Sequence, residues 1–133
     1  MEEYSMIVKS PGGSIFPYYY KGGEIHCLKY GSFHTDSKAL FDLMKAEEAF
    51  ILGQPKRLAM WVDLYETQLT KEVVLELSGN LIRLQSHIRK LAIVGDYFSR
   101  HRLHRFLRKH ADLFMAPIQY YDDPEDAKTW LVM

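Results

Sequence analysis

The chain has 133 residues, 47% of them hydrophobic and 26% charged, with 17 Lys plus Arg balanced by 17 Asp plus Glu. That length suits one domain with its own core, and the composition excludes a disordered, fibrous or disulfide-stapled protein. A net charge of zero removes any bulk electrostatic case for nucleic acid or acidic membranes as partners.

The single cysteine, Cys27, has no internal partner and fits a reducing, cytoplasmic setting. Met1-Glu2-Glu3-Tyr4 is an acidic start with no apolar stretch behind it, so a signal peptide is not expected. Uninterrupted apolar runs reach about five residues against the ~20 that span a bilayer, so no transmembrane segment is expected.

In chain order, residues 4–10 alternate loosely and stop at Pro11-Gly12-Gly13, where proline fixes φ and glycine accepts φ > 0. Residues 15–20 are rich in aromatics and end at Lys21-Gly22-Gly23. Pro17 cannot donate to a ladder and predicts an edge position, so the first 23 residues read as a hairpin or edge ribbon. Residues 24–30 form a third strand, with Ile25 and Cys27 on one side and His26, Leu28 and Tyr30 on the other.

The rhythm then changes. Thr35 or Asp36 caps a helix running to about residue 52, stopped by Gly53 and Pro55. Residues 57–63 are a strand apolar on both faces. Thr70 caps a helix over 71–88, in which Val73, Leu77, Leu81, Leu84 and Ile88 recur at three and four to mark the core-facing stripe. Residues 90–95 are a second strand buried on both faces, followed by a helix over 100–111 capped by Ser99. A short strand over 118–121 precedes a terminal helix with Asp122 or Asp123 as cap, Pro124 in its first turn, and Ala127, Trp130 and Leu131 inward. From residue 24 the order is β-α-β-α-β-α-β-α. Strands and helices alternating at this length imply parallel pairing through right-handed crossovers. The fold class is therefore α/β, with four βα units in a mostly parallel sheet. The whole of 1–133 reads as one domain: a ribbon over 1–23 and a βα core over 24–133.

Three stretches carry a resemblance. Residues 58–63 are a strand ending in Val-Asp, residues 91–96 read Leu-Ala-Ile-Val-Gly-Asp, and residues 118–131 give a short strand, an acidic turn and an Ala-x-x-Trp-Leu helix. In that order and spacing the chain resembles the SpoIIAA-like family, a branch of the STAS-type fold also grouped with CRAL-TRIO lipid-transfer domains, over about residues 24–131. The resemblance implies a superhelix of four βα turns and a small cytoplasmic bacterial protein. In one branch of that family a serine in an Asp-Ser-Ser-Gly motif at a helix start is phosphorylated by a partner kinase. Here Asp63 is followed by Leu-Tyr-Glu-Thr-Gln-Leu-Thr, so that serine has no counterpart, and Thr67 and Thr70 are the nearest candidate phosphoacceptors.

Other candidate residues come from position and charge. Asp63 and Asp96 close the two central strands, at the edge where open α/β sheets hold ligands. Each also suits a structural role as a loop or helix cap. Between Arg83 and His110 lie eight Lys or Arg and one acid, Asp96. On a helical wheel Arg105 and Arg108 share the outer side with His101, flanked by Arg102, and the acidic segment 122–126 is placed to neutralise part of this basic face. His101, His104 and His110 do not converge on the wheel, so no metal site is expected. Nucleotide-binding glycine motifs, Gly-x-Ser-x-Gly and His-Glu-x-x-His are missing from the chain, so neither a cofactor nor a catalytic residue is assigned.

The central strands are apolar on both sides, and crossover helices on one face leave the other needing a cover: the aromatic ribbon, a second copy, or an apolar ligand beside Trp61. The leading expectation is a non-enzymatic cytoplasmic domain acting by protein–protein interaction, as a homodimer or with a protein partner. The alternative is a carrier or sensor of a lipid or other apolar anion on the sheet face, with Arg102, Arg105 and Arg108 for the headgroup. An enzyme built on Asp63 and Asp96 ranks last.

Overall fold

A computed structural model describes residues 6–133; the acidic start at Met1–Tyr4 and the first two residues of the strand expected from Tyr4 lie outside the described residues. Two short strands, β1 (Val8–Lys9) and β2 (Ile15–Phe16), pair antiparallel across the Pro11-Gly12-Gly13 turn. Pro17 then interrupts the aromatic run. The chain resumes as β3 (Tyr18–Tyr20), the edge strand of the main sheet, antiparallel to β4 (Gly23–Lys29). The expected ribbon is thus split: its first half is a separate hairpin and its second half joins the core.

The rest alternates: α1 (Ser37–Leu52), β5 (Leu58–Asp63), α2 (Lys71–Leu84), β6 (Ile88–Val94), α3 (Tyr97–Arg108), β7 (Ile118–Tyr121) and α4 (Pro124–Leu131). The sheet order is β3-β4-β5-β6-β7, and the last four strands are parallel. Strands laid down in chain order with crossovers of one hand put every crossover helix on the same face. Accordingly α1, α2 and α3 pack together over Leu28, Met60, Val62, Leu91 and Ile93. After β7, α4 folds onto the opposite face over Ile25, Ala59, Ala92 and Val94. The cover that the apolar central strands required is therefore supplied within the chain, by Ala127 and Leu131 of α4.

Several boundaries differ from the sequence reading, most at the ends of α2 and α3. The 71–88 helix ends at Leu84, a 3₁₀ turn follows over Gln85–His87, and Ile88 opens β6 instead. Ile88 faces the same core in either state, so its hydrophobicity does not discriminate; pairing with Leu58 and a bond from the Arg57 guanidinium to its carbonyl select the strand. α3 starts three residues early because Asp96, not Ser99, is its N-cap: Asp96 Oδ1 accepts from the Ser99 N–H at 2.8 Å. Asp36 and Thr70 cap α1 and α2 in the same way, accepting from Ala39 N and Val73 N.

One polar cluster lies inside this fold. Glu47 sits on the inward stripe of α1 with Leu40, Met44 and Ile51, and it is fully buried. Its Oε2 accepts from Ser10 Oγ at 2.6 Å and Gly12 N at 2.8 Å, while Oε1 lies 3.1 Å from His26 Nε2. A Cβ at residue 12 would come within 2.8 Å of that same Oε2, so any larger residue would push the carboxylate out of this position. Burial pushes the Glu47 carboxyl up, but the bonds from His26, Ser10 and Gly12 outweigh it and hold the group below the usual carboxylate range. An ionised carboxylate only accepts, so Nε2 of His26 is the donor. These bonds fasten the β1–β2 hairpin to α1.

Candidate functional site

Asp63 and Asp96 end neighbouring strands, and both are turned to local work. Asp63 Oδ1 accepts from Tyr65 N at 3.0 Å, and Asp96 caps α3. No three His, Cys, Asp or Glu side chains among the described residues are grouped to hold a metal. Thr67 is buried: its hydroxyl donates to the Tyr30 carbonyl at 2.6 Å and accepts from Phe33 N at 3.1 Å. Thr70 is exposed, with its oxygen engaged as the α2 cap. Both threonines border a cavity of about 150 Å³ between the N-termini of α1 and α2.

The arginines of α3 do not act as one row. Arg102 and Arg105 join Lys71 of α2 and Lys109 along a groove between the two helices, about 210 Å³ in volume, floored by Leu75 and Phe106. Arg108 belongs to a different depression, beside His104, Phe114 and Tyr120. At 3.6 residues per turn Arg108 lies about 120° around the helix from Arg102, and packing against α2 turns that difference into two separate surfaces. The histidines diverge as well: His101 stacks on Tyr97, His104 meets the Tyr120 edge, and His110 contacts Phe106. Burial pushes the Tyr120 hydroxyl up to about 12, so it stays protonated.

The acidic segment after β7 makes its short polar contacts within its own region. Glu125 forms its ion pair with Lys128 at 2.7 Å and accepts from the Tyr20 hydroxyl, while Asp123 caps α4. Among the described ion pairs, none joins that segment to α3. The groove therefore keeps four cations, with no acid among its lining residues.

Trp61 lies elsewhere, on the α4 face of the sheet. Period two along β4 and β5 sends Cys27, Lys29 and Trp61 to that side. Because α4 is only eight residues long and packs mainly against β5, β6 and β7, the β4 end is left open. There a cavity of about 390 Å³ opens between the sheet, the β1–β2 hairpin and α4. Tyr18 and Trp61 are its aromatic walls, with ring centroids 6.3 Å apart, and Lys128 Nζ lies 5.7 Å from the Trp61 ring. Cys27 is at its floor, 5% exposed; burial, and secondarily the Asp63 carboxylate, push the thiol up, so it is a neutral thiol rather than a nucleophile.

Sequence reasoning missed two things here. Glu47 was visible as an acid at the i+7 position of the apolar stripe from Leu40, and its place there marks a buried charge. The lysines of the sheet-face cavity, Lys9, Lys29 and Lys128, have no sequence signal, since only strand register and the return of α4 bring them together.

A parallel sheet built in chain order, three crossover helices on one face, and a closing helix on the other define a STAS-like α/β domain. The sequence profile of the SpoIIAA-like family matches residues 32–132, and the chain belongs to that family. Comparison with curated proteins and with solved structures gave no match.

Proposed function

We propose that this protein is a non-enzymatic, cytoplasmic regulatory domain, acting as one unit over its whole length by docking an acidic amphipathic segment of a partner protein. The observation that carries this is the α2–α3 groove. Lys71, Arg102, Arg105 and Lys109 rim it without an opposing acid, and Leu75, 49% exposed, offers an apolar seat. A concave groove between two helices accepts a side-chain-bearing segment, as helix-in-groove recognition does, whereas a flat bilayer surface does not enter it. Membership of a STAS-like family, whose domains often work through protein contacts, supports the same reading. A two-fold homodimer through this groove would set four cations against four, so the occupant is a surface of opposite charge.

The test uses a fluorescent, synthetic helical peptide rich in Glu and Leu. Saturable binding is expected, weakened at least tenfold (about 1.4 kcal/mol) by Arg102→Glu with Arg105→Glu and by raised salt. Equal binding by the double variant, or binding only to anionic vesicles, would overturn the proposal. Sedimentation velocity on the unliganded protein separates self-association from partner docking.

A further inference from the structure

The sheet-face cavity is remote from the α2–α3 groove and shares no lining residue with it. We infer that this cavity is a binding site for a small, flat aromatic anion, whose ring system lies against the aromatic wall made by Tyr18 and Trp61 while Lys9, Lys29 and Lys128 hold the acid group.

Four observations carry the assignment. The volume, about 390 Å³, is within the range of small-molecule pockets and admits a ligand of about one or two rings. Tyr18 and Trp61, tilted at 50° with their ring centroids 6.3 Å apart, form one continuous aromatic wall, against which a ring can pack face-on or edge-on. Three lysines reach the cavity and no acid lines it; Lys128 has its own partner in Glu125, while Lys9 and Lys29 form no ion pair among the described residues. Finally, the polar groups at the floor are already satisfied or neutral. Ser14 Oγ donates to the Cys27 carbonyl at 2.6 Å, and the Cys27 thiol is uncharged. The floor therefore takes the apolar edge of a ligand, and the charge is read at the rim.

The β1–β2 hairpin supplies Lys9 and Ile15 to the cavity wall, and the bonds from Ser10 and Gly12 to Glu47 anchor that hairpin. The site is thus held open by the core rather than formed on binding, which keeps the entropy lost on capture small.

The chain has two tryptophans, so Trp130→Phe leaves Trp61 as the sole indole reporter in the full-length protein. Naphthalene-2-carboxylate titrated into that protein is expected to quench Trp61 emission saturably. The neutral amide, naphthalene-2-carboxamide, is expected to bind about tenfold or more weakly, the worth of one well-placed charge contact. Lys29→Gln, an exposed position that leaves the fold intact, should weaken the carboxylate and leave the amide unchanged. Arg105→Glu, in the groove, should change neither. Equal affinity for acid and amide, or quenching that never saturates, would overturn the inference. So would an Lys29→Gln variant that binds the carboxylate as the parent does. Because the groove peptide is scored with Arg102 and Arg105 and this ligand with Lys29, failure of one reading leaves the other standing.

Discussion

On the side of the sheet under α1, α2 and α3, β5 and β6 present Leu58, Met60, Val62, Leu91 and Ile93, each at most 1% exposed. On the other side the same strands present Ala59, Trp61, Ala92 and Val94. There α4 fills the space over β6 and leaves the β4 end open. The backbone is common to both faces; only the side-chain parity differs. Large aliphatic groups on even positions of β5 maximise buried area, at ~25 cal/mol per Å². Small or amphipathic groups on odd positions leave room for a helix and a cavity. One strand can therefore serve stability with one set of residues and recognition with the next.

The comparison breaks most severely at Glu47, which ties the first face to the hairpin bordering the second. Glu47→Ala leaves His26, Ser10 and Gly12 without their acceptor and is expected to lose about 3–5 kcal/mol in urea unfolding. A loss under about 1 kcal/mol would mean the buried charge holds nothing together. Next come neighbours of opposite parity. Met60→Ala should lose about 2–5 kcal/mol, the cost of a core cavity. Trp61→Ala, at a half-open position, should lose only about 1 kcal/mol while weakening naphthalene-2-carboxylate binding at least tenfold by isothermal calorimetry. Equal destabilisation by the two would erase the distinction between the faces.

Acid sharpens the same contrast. The Glu47 carboxyl is held lower in the folded protein than in the unfolded chain, so its contribution is complete above the ordinary carboxylate value of about 4.3 and drains away as pH falls through the lower folded value. Chemical denaturation between neutral and acidic pH should show the parent losing stability that Glu47→Gln never had. The smallest effect belongs to the helix caps. Asp96→Ala should lose about 1 kcal/mol, through the bond to Ser99 N, without altering either binding surface.

The helices were legible because hydrophobic period is local, three and four along α2 from Val73 to Leu84, and the central strands because short apolar runs between helical stretches mark strands buried on both faces. The family was legible for a similar reason, since its short apolar motifs keep their order. The landing side of α4 was not, because both faces of β5 and β6 are apolar and an Ala-x-x-x-Leu stripe suits either. The split of Arg108 from Arg102 and Arg105 was only half legible, since a wheel gives angles but not which angle meets α2. Least legible was the cavity around Trp61, whose lysines stand at positions 9, 29 and 128 and meet only in space.

The family profile begins at residue 32, yet β3 and β4 precede that point, and Glu47 draws three of its hydrogen-bond donors from residues 10, 12 and 26. A chain trimmed to the profile would lose the β1–β2 hairpin and two strands of the main sheet, expose the flank of β5 to pairing with any passing segment, and strand an anion in hydrocarbon. Shortened forms that begin there should precipitate. Anyone preparing this protein needs the leader stretch that the family signature overlooks.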